Sequence, residues 1–312
     1  MEMSPHQRLG QKEFEVAVGI PAGSLDDRTK ALLETTPLLY SPLDEAAQRA
    51  AREKVAEDID RGFTVVGEHR ASIWRDAWQD HLDDFVRSGY ALEALNPRFV
   101  GGTALLRWQG AYVEGVTERF ELAFLEIFRN WLFRTYLANA SHLYEFGSGS
   151  AFNVAAYAKL YPQTPIMALD WAPAAVKIAD LLGEQHGMKI SGQRFDFFAP
   201  DSNFEFAPNS AVLTMCALEQ VGDRFLPFLD FILAKRPQRV VHVEPMLELY
   251  DPELPHDALA IRYHQQRKYL SGLLPHLRSL EKAGAVRFLK VQRLKFGSRF
   301  HECFSVVAWE PV

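Results

Sequence analysis

The chain has 312 residues, enough for one large or two modest domains. Hydrophobic residues make up 48% and charged residues 24%, a balance that excludes a disordered chain. The net charge of −6 without a clustered basic face excludes a nucleic-acid footprint, and two cysteines, Cys216 and Cys303, exclude a disulfide framework or a zinc site.

Residues 43–61 are rich in strong helix formers, and Asp60 and Gly62 mark a stop. A second helix is predicted over Ser72–Val86, with Ile73, Trp74, Trp78 and Leu82 on one stripe. A loop follows at Asn96–Gly102, then the segment Arg107-Trp108-Gln-Gly-Ala-Tyr112. A third helix is predicted from Val116 to Leu137, with Phe120, Phe124, Phe128 and Trp131 at helical spacing as a core stripe.

From residue 141 short apolar runs alternate with helices. Strands are predicted at Leu143–Phe146, Ile166–Asp170, Ile190–Phe195, Ala211–Cys216 and Arg239–Glu244. Helices are predicted at Phe152–Tyr161, Pro173–His186, Arg224–Lys235 and Ala258–Ala283. Such alternation implies a parallel sheet with helices on both faces. The end breaks the alternation: Val286–Phe296 and Phe300–Trp309 read as two strands joined by a short Gly-Ser turn, hence an antiparallel pair.

The first of these strands runs into Glu145-Phe-Gly147-Ser148-Gly149, an acid followed by a Gly-x-Gly turn and a helix start. Glycine lets backbone pass close to a ligand and tolerates positive φ. The next strand ends in Asp170, followed by Trp171, and the third in Asp196-Phe197. This series, over residues 140–312, resembles the class I S-adenosylmethionine-dependent methyltransferases. The resemblance implies that Glu145, Gly147, Ser148 and Gly149 hold the methionine end of the cofactor, Asp170 the ribose hydroxyls, and Asp196 with Phe197 the adenine. By position Trp171 lies against the adenine as well. One departure is Ala151 where the usual pattern has a third glycine. A dinucleotide site shares the physics. Glu145 beside a pyrophosphate and the terminal hairpin both disfavour it.

The resemblance further implies that residues ahead of the first strand fold over the cofactor, with Arg107 for its carboxylate and Trp108 or Tyr112 shielding the sulfonium. In open α/β sheets ligands sit beyond the carboxyl ends of the strands, where strand order reverses. Glu219 and Glu244 land there, and His264 and Tyr263 open the helix that closes over the acceptor in such enzymes. His242, two residues before Glu244, lies deeper in the sheet and reads as structural. If an oxygen or a protonated amine is methylated, a base must take its proton, and Glu219, Glu244, His264 and, despite its depth, His242 are the candidates. The run Glu219-Gln-Val-Gly222 also resembles the acceptor loop of arginine methyltransferases, whose second glutamate is absent here because Phe228 stands near its place. Glu244 could supply the second carboxylate.

The expected architecture is thus α/β: a Rossmann-like methyltransferase sheet, residues 141–312, behind a mostly helical region, residues 1–140, that lids the site or forms a homodimer. The expected function is methyl transfer from S-adenosylmethionine to an N or O atom of a small molecule, a cationic amine or guanidino compound such as arginine among them, without a metal. The alternatives are a non-catalytic cofactor-binding module and an NAD-dependent oxidoreductase. No run of about 18 apolar residues occurs, and Met1-Glu-Met-Ser-Pro-His6 has no basic stretch leading into an apolar core. A cytoplasmic protein with no nucleic-acid or membrane partner is the expectation.

Overall fold

The computed structural model describes residues 6–67, 70–98, 100 and 105–312. Of the predicted loop at 96–102, Phe99, Gly101 and Gly102 lie outside the described residues, as do residues 1–5.

The N-terminal part is helical, and it also carries a small sheet. Strand β1 (Gln7–Arg8) leads into helices α1 (Gln11–Val18) and α2 (Asp27–Thr35), then β2 (Leu39–Pro42), α3 (Glu45–Asp60) and α4 (Ala71–Arg87). Asp26 and Asp44 cap α2 and α3, each accepting a backbone N–H three residues on. Next come β3 (Leu105–Trp108) and β4 (Ala111–Gly115), joined through Gln109 at φ +50° and Gly110 at φ +85°. Positive φ at both central residues is the turn that matches strand twist. Arg107 to Tyr112 is therefore a β-hairpin. Helix α5 (Phe120–Leu132) and a π turn at Phe133–Leu137 complete this part. The expected helix start at Val116 fails because Val116 and Thr117 donate their N–H groups to Leu39 O, at 2.8 and 3.1 Å, which ties them to β2.

The second part follows the predicted alternation: β5 (Leu143–Phe146), α6 (Phe152–Leu160), β6 (Ile166–Asp170), α7 (Pro173–His186), β7 (Ile190–Arg194), β8 (Ala211–Met215), α8 (Leu226–Lys235) and β9 (Arg239–Glu244). The single helix expected over Ala258–Ala283 is two, α9 (Pro255–Arg267) and α10 (Leu273–Lys282). They break at Lys268, φ +52°, and Gly272, φ +90°. Strand β10 (Val286–Gln292) pairs antiparallel with β12 (Ser305–Pro311), as expected of the terminal pair. Their connection is no short turn, however. It detours through β11 (Phe296–Ser298), which pairs with β3 in the other sheet.

Two sheets result. The small one has order β1-β2-β4-β3-β11, and the large one β10-β12-β9-β8-β5-β6-β7. In the large sheet β5, β6, β7, β8 and β9 are parallel and β12 runs against both its neighbours. This is the Rossmann-like sheet with a terminal antiparallel pair that the resemblance implies. Strand order reverses between β5 and β8, so the ligand crevice belongs beyond Phe146 and Met215. Side chains alternate across β5. Leu143 faces the core shared with α5 and α6, and Tyr144 and Phe146 face a core under α8. In the latter, Phe146 meets Phe195 and Phe228 at 4.6 and 5.1 Å between ring centroids. Among the described residues no helix is long and apolar enough to cross a membrane.

The packing of α7 on the sheet has a clean test. A methyl group on Gly192 of β7 would collide with the Val176 carbonyl of α7. One on Gly187 would touch nothing within 4 Å, but that residue sits at φ +61°. Gly192→Ala should therefore cost about 1–3 kcal/mol through overpacking, and Gly187→Ala about 1 kcal/mol through backbone strain alone. Urea denaturation measures both. A neutral Gly192→Ala would show that α7 is not clamped to this strand.

Candidate active-site crevice

The turn after β5 has the expected backbone. Gly147 and Gly149 lie at φ +73° and +51°, and Ala151 at φ +60° opens α6. Gly147 and Ser148 donate to Leu169 O at 2.7 and 3.1 Å, which pins the turn to β6. The Asp170 carboxylate accepts from Gly149 N at 2.9 Å and from Ala172 N at 3.0 Å. The Trp171 N–H also interacts with it, so most of its four lone-pair positions are engaged. Burial raises its pKa to about 6, opposed by those N–H groups.

Glu145 faces inward, 1% exposed. Its Oε1 accepts from Asn153 Nδ2 at 2.8 Å, and its Oε2 has no partner. Asn153 Oδ1 in turn accepts from Arg129 Nη1 at 3.2 Å. Burial pushes Glu145 up to about 8, with Asn153 and Arg129 pulling the other way. The Ser148 hydroxyl also lacks a partner. On the far side of the crevice Asp196 accepts from Phe198 N at 2.9 Å, and Phe197 lies edge-on to Phe228 at 4.9 Å. Trp171 is half-buried beside Asp170.

Trp78 also belongs to the crevice. It was expected on an apolar stripe of α4, but a methyl group on Gly149 would lie 2.6 Å from its ring. Its indole lies directly over the glycine turn. It stacks on Trp74 at 5.8 Å and tilts against His81 at 5.5 Å. Ile73, expected on the same stripe, is 51% exposed. The only sequence signal for this role was the tryptophan pair itself, which core packing explains equally well. Behind α4, Ser150 Oγ donates to Leu95 O at 2.7 Å, so the segment after the helix also touches the turn.

The acids after β8 and at the end of β9 come together, with unequal freedom. Glu244 is fully buried and accepts the N–H groups of Ala217, Leu218 and Glu219 at 3.1, 3.1 and 3.3 Å. It closes the 3-10 turn at Leu218–Gln220. Its carboxylate is spent on backbone, which leaves no second acid free for a guanidinium. Glu219 accepts from Gln220 Nε2 at 2.8 Å. Its pKa rises to about 8, first through burial and then through Glu244, against the pull of Arg267 and Arg70. His242 is buried, bonded to Thr214 at 2.9 Å, and driven down to about 3 by burial alone, in keeping with a structural role.

His264 lies in a buried chain. Its Nε2 meets His301 Nδ1 at 3.1 Å, and His301 Nε2 lies 3.5 Å from Cys303 Sγ. Burial and Arg107 lower His264 to about 3, so both rings are neutral. Burial raises the Cys303 thiol, which is therefore not a thiolate. Tyr263 stacks on Phe300 at 5.1 Å. His301 and Cys303 fall within the strand expected over Phe300–Trp309, where nothing marks them as neighbours of His264; the structure instead places them between β11 and β12.

Arg107 and Tyr112 are not brought to the glycine turn. Arg107 is fully buried, donates to His256 O at 2.6 Å, and lies 3.6 Å from Asp257. Tyr112 donates to Arg299 O at 3.0 Å and meets the His256 ring at 4.6 Å. Trp108 packs on Phe124 and Phe296 in the core. The reason is topological: β3 and β4 form a hairpin bound to β11, which carries these side chains to the seam with α9.

No family profile matches the chain, and no curated protein matches it. Among solved structures, an N,N-8-amino-8-demethyl-D-riboflavin dimethyltransferase from Streptomyces davawensis aligns at 14% identity and TM-score 0.42, over 62% of this chain and 57% of that one. A SAM dependent methyltransferase from Aquifex aeolicus aligns at 15% identity and TM-score 0.41, over 58% of this chain and 89% of that one. An O-methyltransferase family 2 protein from Planctomyces limnophilus, solved with apigenin, aligns at 14% and TM-score 0.40, over 78% of this chain and 96% of that one. The alignment to the riboflavin-analogue enzyme spans little more than half of that protein.

The buried acid of the turn makes a prediction about stability. Folded Glu145 keeps its proton up to about pH 8, whereas the unfolded chain loses it near the ordinary 4.5. Its contribution is therefore largest at low pH and is lost as pH rises through that interval. Glu145→Gln cannot ionise and keeps the acceptor for Asn153. Between about pH 6 and pH 8 the variant should lose less stability than the parent, by about 2 kcal/mol. Melting temperatures of the two across that range measure it. Parallel curves would show that Glu145 does not hold its proton.

Proposed function

We propose that this protein is an S-adenosylmethionine-dependent methyltransferase that acts on a small molecule. The observation that carries the reading is the glycine turn at the strand-order reversal, faced across the crevice by the Asp170 carboxylate. The residues there suit the cofactor. Glu145 Oε2 and Ser148 Oγ are buried polar atoms without partners, and the Asp170 carboxylate stands beside them at the strand end. At Gly147 and Gly149 a side chain would collide with Ala217 and Trp78, so glycine is required at both ends of the turn. Glu145 with Ser148 would hold the amino-acid end and Asp170 the ribose, with Phe197 and Trp171 toward the adenine. When bound, the cofactor supplies an electrophilic methyl group.

What the protein supplies is position and a proton acceptor. Trp78 would wall the crevice from the α4 side, where an aromatic face favours a cation. Aligning the nucleophile at near-attack distance supplies most of the rate in such a displacement. Glu219 is the base we assign, since Glu244 is committed to three N–H groups and His264 is held neutral by burial and Arg107. A guanidino acceptor would need two free carboxylates, and only Glu219 is free of backbone, in the field of Arg70 and Arg267. The acceptor that fits is a hydroxyl or an amine reacting in its neutral form.

Calorimetry with S-adenosylhomocysteine and, separately, NAD tests the first half. S-adenosylhomocysteine should bind and quench or shift Trp78 fluorescence. Asp170→Asn should weaken that binding by about tenfold or more, the loss of a charge-assisted hydrogen bond. Binding of NAD alone would replace this reading with an oxidoreductase. The pH dependence tests the second half. Glu219 accepts a proton only when ionised, so kcat with a hydroxyl or amine acceptor should rise with pH and level off above about pH 8. Glu219→Gln should remove that limb and lower kcat by about 10²- to 10⁴-fold. An unchanged profile would take the proton from another group.

A further inference from the structure

A groove of about 520 Å³ runs between α5 and α6, on the outer side of the helix that leaves the glycine turn. Its walls are apolar, with Leu95, Leu122, Phe133, Phe152 and Ala156 among them. Its mouth carries exposed charges of both signs, Glu118, Glu126 and Lys159 included, which solvent screens. One charge is different. Arg129, 6% exposed, lines the groove. Its guanidinium lies 3.6 Å over the Phe152 ring and donates through Nη1 to Phe152 O and Asn153 Oδ1, at 3.0 and 3.2 Å. Its Nε has no partner, and among the described residues no carboxylate lies within ion-pair distance. Burial lowers its pKa to about 10, against the more distant pull of Glu126 and Glu145.

A buried cation without a counter-ion is costly, and buried charges are almost always paired. Here the unpaired charge faces an apolar groove whose volume lies in the range that holds small ligands. We propose that the groove between α5 and α6 is a second binding site, separate from the glycine-turn crevice, for a small amphiphilic carboxylate whose carboxylate pairs with Arg129 and whose apolar tail lies along Leu95, Leu122 and Phe133. The inference stands whether or not the crevice binds S-adenosylmethionine. The site is wired to that crevice all the same. Arg129 bonds Asn153, which bonds Glu145, so an anion on Arg129 removes the attraction that favours ionised Glu145.

Octanoate is a suitable probe and 1-octanol its uncharged counterpart, each titrated calorimetrically into the full chain. Octanoate should bind about tenfold tighter than octanol or better, as a charge-assisted contact requires. Arg129→Met should erase that preference and Arg129→Lys restore part of it. Ala156→Trp fills the groove from α6, so it should abolish octanoate binding even if Arg129→Met does not fold. Equal binding of the two probes, or octanoate binding unchanged in Ala156→Trp, overturns the proposal. S-adenosylhomocysteine titrated into the same samples reports on the crevice separately.

Discussion

Arg293 holds the two sheets together. It follows the last residue of β10, and its guanidinium reaches both oxygens of Asp257, at 2.5 and 2.7 Å, both oxygens of Glu302, at 2.5 and 2.8 Å, and Leu249 O at 3.0 Å. These partners lie in the first turn of α9, between β11 and β12, and after β9. One cation thus fixes where the chain leaves the large sheet, where it returns, and where the helix carrying Tyr263 and His264 begins. Burial raises the Asp257 pKa, yet the hydrogen bonds from Arg293 hold it below the usual range. Removing one partner from such a buried set costs about 3–5 kcal/mol, because it strands the others. The same network explains Arg107. Asp257 gives its short contacts to Arg293, so Arg107 is left with a carbonyl and a longer ion pair.

The large sheet was legible because of its environment. Parallel strands buried on both faces are continuous apolar runs bounded by turn residues. Leu143–Phe146, Ile166–Asp170 and Arg239–Glu244 have the predicted bounds, and Ile190–Arg194 and Ala211–Met215 differ by one residue. The acids at their ends were legible for the same reason. The small sheet was not. Its strands are two to five residues long, and β11 comes from the opposite end of the chain. Arg107 and Tyr112 are thus expected over the cofactor from sequence alone, whereas Arg107 pairs with Gly297 of β11 and Tyr112 with Arg107. Glu244 shows a second limit. Its position at a strand end could be read, but whether a neighbouring turn would claim its oxygens depends on backbone geometry that residue types do not encode. The helix break before α10 did leave a signal, Gly272, within a stretch otherwise rich in helix formers.

The crevice over the glycine turn is closed in this conformation. Trp78 fills the space above Gly149, and Asp170, 4% exposed, is turned toward backbone. A ligand entering there must displace an indole and open a carboxylate site, and α4 is the element that has to give way. Elements that move on binding are drawn from the less stable parts of a structure. Helix α4 fits that description. Its N-cap, Arg70, makes no side-chain capping bond, and its outer face leaves Ile73 and Val86 in solvent.

The strand β11 has a consequence for how this protein is made. During synthesis β3 emerges long before residues 296–298, so one side of the N-terminal hairpin carries unpaired backbone donors and acceptors until the C-terminal segment is released. An open edge of this kind is a template for pairing with other chains. The β3–β11 pairing is also among the longest in sequence separation, which slows folding. The nascent chain therefore passes through a stage in which its N-terminal half is present but cannot be finished. Such a stage is where a holdase chaperone would meet it, and where crowding on a polysome would favour misassociation over completion.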